Sequence, residues 1–104
     1  MDMDAFLLRT ALDAVESERK RQNEKWGRQR HDYGDWLKIL VEEVGEVAQA
    51  MQKDMGWGKE SDAGNLFEEL VHTAAVAVAM AEQVFEQEGL HPGKERDESS
   101  KESG

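Results

Sequence analysis

The chain has 104 residues, 13 of them Lys or Arg against 23 Asp or Glu, for a formal net charge of −10. One domain is expected at this length, since domains run about 100 to 200 residues, and the lack of cysteine excludes disulfide scaffolds, thiolate zinc sites and cysteine nucleophiles together. So acidic a surface repels duplex phosphate and disfavours stable nucleic-acid binding, while the acidic start Met1-Asp2-Met3-Asp4 and the absence of a long apolar run argue against export or membrane binding and for a cytoplasmic protein.

Pro92 is the only proline, so nothing before it forbids a helix, and an all-α fold is expected. The first helix spans about Asp4 to Lys25, with Leu8, Ala11, Leu12 and Val15 on one stripe. Gly27 to Asp35 reads as a loop, with Asp35 as the N-cap of a second helix that continues to about Asp54, ahead of Gly56 and Gly58. The third helix starts after Gly64 or Asn65 and runs to about Glu88. Its middle, Leu70 to Ala81, is apolar nearly all round and must be covered on more than one face. Three helices from so short a chain do not enclose it. A helical bundle completed by homo-oligomerisation, as a homodimer or a dimer of dimers, is therefore expected. Residues 1–88 form the helical domain in this reading, and the charged, Ser- and Gly-rich residues 89–104 a disordered tail.

The second helix has an apolar stripe of Trp36, Ile39, Leu40, Val44, Val47, Ala50 and Met51. With Glu43 at zero on the wheel, Ile39 and Ala50 lie about 40° and 20° to one side, and Trp36 and Val47 about 20° and 40° to the other. Glu43 thus falls inside the apolar arc, Glu46 about 60° away at its edge, and Glu42 toward the polar side. In the third helix Glu69 is flanked by Leu66, Thr73, Val76 and Met80, and His72 follows it at i+3. Inward carboxylates need a cation, and the third helix from Leu66 to Glu88 has no Lys or Arg. A divalent metal held by the carboxylates of Glu43, Glu46 and Glu69 answers that need. The competing reading pairs these acids with Arg19, Arg21 or Arg28.

Six basic residues, Arg19, Lys20, Arg21, Lys25, Arg28 and Arg30, fall within twelve positions that contain only one acid, Glu24. Lys25, Arg28 and Arg30 at the mouth of a metal pocket would hold phosphate oxygens, and Trp26 and His31 beside them could stack on a base. The same residues equally fit the solvated end of an amphipathic helix. Trp57, between two glycines, reads as a lid or a surface anchor.

The runs Glu42-Glu43-Val44-Gly45-Glu46 and Glu68-Glu69-Leu70-Val71-His72, with the upstream stretch from Arg21 to His31, resemble the MazG-like all-alpha nucleoside triphosphate pyrophosphohydrolases, in particular the short members of phages and mobile elements. That family's pattern is E-E-x-x-E followed by E-x-x-D, whose acids bind magnesium. By position, the resemblance implies metal ligation by Glu43, Glu46 and Glu69, with Glu42 as a further ligand or base. His72 stands where the family usually has Asp, and imidazole suits manganese or iron better than magnesium. The implied activity is hydrolysis of a nucleoside triphosphate to the monophosphate and pyrophosphate, a house-cleaning of the nucleotide pool, with Glu42 or Glu46 activating the water. Two alternatives stay open. Glu43 with Glu69-x-x-His72 is half the ligand set of a di-iron or di-manganese carboxylate bundle, and a helical dimer that binds nucleotide without turning it over would carry the same residues.

Overall fold

A computed structural model describes residues 2–56 and 64–89, and these fold into three helices, α1 (Met3–Trp26), α2 (Tyr33–Asp54) and α3 (Leu66–Gln87), with no strand among them. Each helix begins on a short polar side chain that satisfies otherwise orphaned backbone N–H groups. Asp2 accepts from the amides of Asp4 and Ala5, and Asn65 accepts from that of Glu68. In α2 the cap is Asp32, whose Oδ1 accepts from the amide of Asp35 at 2.8 Å, so the helix starts earlier than the expected Asp35. The upstream carboxylate closes the first turn, and Asp35 becomes the acid inside it. Gly27, Gly56 and Gly89 end the segments with φ between 75° and 79°, a backbone state that glycine enters without steric cost.

The all-helical fold class expected from periodicity is what the described residues form. α3 lies between the other two helices and packs against both, while α1 and α2 make no backbone contact with each other. The result is a cleft between α1 and α2 with α3 as its floor. The core is small: Trp36, Val47 and Ala50 from α2, and Ala75, Val76 and Ala79 from α3. Val44 and Met51, expected in the buried stripe of α2, are instead about half exposed, at 51% and 48%. Together with Leu37 and Val41 they form a second apolar stripe facing away from α3. α3 likewise leaves Phe67, Leu70 and Phe85 exposed, because two flanking helices cover only part of its circumference.

Three polar residues are buried with the core, namely Arg19, Glu69 and Gln83. Gln83 joins the connection between α1 and α2 to α3. Its Oε1 accepts from Trp36 Nε1 at 2.8 Å and from the backbone N–H of His31 at 3.1 Å, and its Nε2 donates to the His31 carbonyl at 2.8 Å. Arg19 ties α1 to α3 by two bonds to the Glu82 carboxylate, of 2.9 and 2.6 Å. Among the described residues no helix is long and apolar enough to cross a membrane. Trp57 and the tail from residue 90 onward lie outside the described residues.

Candidate metal centre

Glu43 projects from the middle of α2, one turn beyond Ile39 and one before Val47, and its apolar neighbours carry it toward α3. Glu69 sits in the first turn of α3 and is 3% exposed, and His72 follows one turn later on the same face. One ligand atom from each of Glu43, Glu69 and His72 lies within 4.8 Å of the others. The two glutamates and the histidine read as inward from helical spacing alone thus converge in space.

The hydrogen bonding of the two carboxylates is incomplete. Glu69 Oε2 accepts the backbone N–H of Gly64 at 2.5 Å, but Oε1 of Glu69 and Oε1 of Glu43 are buried without any hydrogen-bond partner. Gly64 permits this approach, since a Cβ there would come within 3.1 Å of Glu69 Oε2 and 2.8 Å of Glu68 Oε1. Burial pushes the Glu43 carboxyl above the ordinary carboxylate range; His72 nearby partly offsets this, and the charges of Glu69, Glu18 and Glu42 add to it. The Glu46 carboxyl is also raised, by desolvation first, then by Glu43 and by its hydrogen bonding to Glu69. Among the described residues no Lys or Arg pairs with Glu43 or Glu69, so negative charge accumulates here. Two carboxylates and an imidazole with unpartnered buried oxygens fit a divalent cation, which supplies the missing positive charge and completes the oxygens' coordination.

The other expected site residues are distributed as follows. Glu46 is exposed and interacts with Glu69, but it is not one of the three converging ligands. Glu42 faces solvent. Trp26 lines the cleft half exposed, and its ring lies 4.7 Å from Lys25 Nζ and 5.8 Å from Arg21 Cζ, within cation–π range. Arg28 and Arg30 both engage Glu86, Arg30 through Nε at 2.8 Å. Glu86 is fourteen residues beyond His72 on α3, which at 1.5 Å per residue places this pair about 21 Å from the three ligands. The His31 ring stands edge-on to Trp36 at 4.7 Å between centroids, where it closes the far end of the core.

The cleft has a volume of about 250 Å³, close to the lower end of the ~300–1,000 Å³ typical of small-molecule sites. Its walls join Trp26, Gln22 and Asn23 of α1 to Trp36 and Glu43 of α2, with His72 on the floor. Glu18 and Arg21 of α1 also line it, and periodicity did not single them out as site residues. Glu18 lies in a run of charged residues, Glu16 to Arg21, whose polarity masks its inward face; its only local signal is the i+3 spacing to Arg21. Arg21 grips it through two bonds, of 2.9 and 2.7 Å, which hold the Glu18 carboxyl below its ordinary range.

Compared with known protein families, curated proteins and solved structures, the chain matches no family, no curated protein and no solved structure.

Proposed function

We propose that this protein is a metal-dependent nucleoside triphosphate pyrophosphohydrolase, which cleaves a nucleoside triphosphate to the monophosphate and pyrophosphate. The observation that carries this reading is the pair of buried, unpartnered carboxylate oxygens on Glu43 and Glu69, set with His72 beside a cleft whose opposite wall presents Trp26 and Arg21. The resemblance of Glu42–Glu46 and Glu68–His72 to the MazG-like pattern supports the same assignment. A divalent cation held by Glu43, Glu69 and His72 would neutralise phosphate oxygens and acidify water.

Around that cation the chain's own residues divide the work. Glu46, with its raised carboxyl beside Glu69, takes the proton of the water that attacks the α-phosphorus. Lys25, beside the Trp26 ring, holds the departing pyrophosphate, since Arg21 is engaged by Glu18 and Arg28 and Arg30 by Glu86. The Trp26 face stacks on the base, and the Asn23 amide nitrogen is within the same cleft to read its edge. The exposed stripe of Leu37, Val41, Val44 and Met51 supports a homodimer, because a second copy laid along it would bury the apolar surface that one chain leaves open.

Purified full chain, assayed with magnesium and with manganese against the common ribo- and deoxyribonucleoside triphosphates, is expected to release pyrophosphate and the monophosphate in equal amounts. Release of orthophosphate alone, or no turnover with either metal, refutes the assignment. One observation favours a second reading: Glu69 and His72 share a helix face opposite Glu43, and a two-fold copy would double this into a di-metal carboxylate set. Anaerobic loading with ferrous iron followed by exposure to oxygen, which oxidises it, then yields tightly held ferric iron with a charge-transfer absorption band.

A further inference from the structure

His72 has polar neighbours on both sides of its ring. Nδ1 lies 3.6 Å from Glu69 Oε1, the carboxylate oxygen that is buried without a hydrogen-bond partner, and Nε2 lies 4.0 Å from Glu18 Oε2. Glu69 is 3% exposed, so its free oxygen is aimed into the protein at the ring and not into water. Glu18 comes from a different helix, and its side chain is only 11% exposed. It is held in place from its own helix, by the two bonds from Arg21 and by Gln22 Nε2, which donates to Oε2 at 3.2 Å. A neutral imidazole has one N–H and one lone pair. At 3.6 and 4.0 Å neither nitrogen is hydrogen-bonded as it stands; a fixed carboxylate that closes on one nitrogen takes the N–H, and the lone pair is then presented by the other.

We propose that His72 binds the metal through Nδ1, and that Glu18 on α1 is the positioning residue that holds the ring for this by accepting the Nε2 proton, so that the centre selects manganese or a similar transition ion over magnesium. The inference rests on the metal centre assigned above and adds a ligand type, an orienting partner and a metal preference. The donor set is two carboxylates and one imidazole. Magnesium demands oxygen ligands in near-octahedral geometry, while manganese(II) accepts imidazole nitrogen readily. An outer carboxylate that orients a ligating histidine is worth about 10–100-fold in metal affinity. Glu18 reaches that position only because α1 lies against α3, which makes it invisible in either helix alone.

The test is manganese binding by the full chain without nucleotide, followed by electron paramagnetic resonance, with pulsed measurements that detect nitrogen bonded to the ion. Wild type is expected to show a directly bound ¹⁴N and to bind manganese at least about 10-fold more tightly than magnesium. His72→Asp keeps a metal site but loses the nitrogen coupling and narrows the manganese preference. Glu18→Ala weakens manganese binding by about 10–100-fold at unchanged helix content, while Glu18→Gln, which retains an acceptor oxygen at the same reach, recovers most of the affinity. Bound manganese without nitrogen coupling in the wild type overturns the proposal. So does manganese affinity within about twofold of wild type in Glu18→Ala, set against the 10–100-fold loss expected. Pyrophosphate release decides the hydrolase reading separately: turnover without nitrogen coupling keeps that reading and removes this one, and nitrogen coupling without turnover does the reverse.

Discussion

The two ends of α3 carry similar residues in opposite circumstances. At its C-terminal end Glu82, Gln83 and Glu86 are each matched: Glu82 by Arg19, Gln83 by Trp36 and the His31 backbone, and Glu86 by Arg28 and Arg30. At its N-terminal end Glu69, and Glu43 facing it from α2, each keep a buried oxygen with no partner. Among the described residues the basic side chains are divided accordingly, with arginines at the C-terminal end and at Glu18, and none on Glu43 or Glu69. Polar groups that hold the fold together bring their partners within the chain. Those left unpaired are destabilising by themselves and acquire a purpose when a ligand pairs them.

Mutations at the two ends should therefore have opposite signatures. The largest expected effect is on turnover. Glu69→Gln, or Glu43→Gln, is expected to lower pyrophosphate release by about 10²-fold or more, since cation binding at a phosphoryl centre is worth several kcal/mol. In metal-free buffer the same variants should be no less stable than wild type by urea denaturation, because each removes an uncompensated buried charge. Loss of stability matching the loss of activity would erase the distinction between the ends.

At the other end stability is at stake. Gln83→Ala strands the Trp36 indole N–H and both backbone groups of His31, and is expected to cost about 2–4 kcal/mol in urea denaturation. Arg19→Ala breaks two charge-assisted bonds to a carboxylate that remains partly solvated, and should cost about 1–3 kcal/mol. In both variants the fraction that remains folded should bind manganese with nearly wild-type affinity. A large loss of affinity in that fraction would mean that the two ends are coupled through α3.

The smallest effect expected is on pH dependence. The Glu43 carboxyl is raised from 4.5 by burial, so the folded state holds this proton more tightly than the unfolded chain does. Its contribution to metal-free stability is fully present below the unfolded value and is lost as pH rises through the folded one. Glu43→Gln should therefore match wild type in acid and gain on it as pH rises toward neutrality. Saturating manganese, which binds the ionised carboxylate, should shrink that gain. A gap between the two proteins that does not change with pH would indicate that Glu43 is solvated.

The three helices were legible in the sequence because capping and 3.6-residue periodicity act within a few positions of one another. The inward placement of Glu43 and of Glu69 with His72 was legible for the same reason: an ionisable residue flanked at i±3, i±4 and i±7 by apolar ones follows them to the same side. Two misreadings on α2 show where this fails. Val44 and Met51 belong to an apolar stripe broader than α3 can cover, and helical spacing does not say which half of such a stripe is buried. Asp35 and Asp32 are both competent N-caps, and only the backbone geometry chose between them.

The sequence by itself determined a cysteine-free, acidic, three-helix chain with carboxylates and one imidazole on apolar helix faces. Only the tertiary structure decided which of its charges are paired. Arg19 is buried on Glu82, Arg28 and Arg30 share Glu86, and Glu18 faces His72 from across a helix boundary. The reason is one of range. Helix formation and facing are set by neighbours a turn or two away, whereas an ion pair between α1 and α3 depends on where two helices cross, and on residues more than fifty positions apart, as Arg19 and Glu82 are.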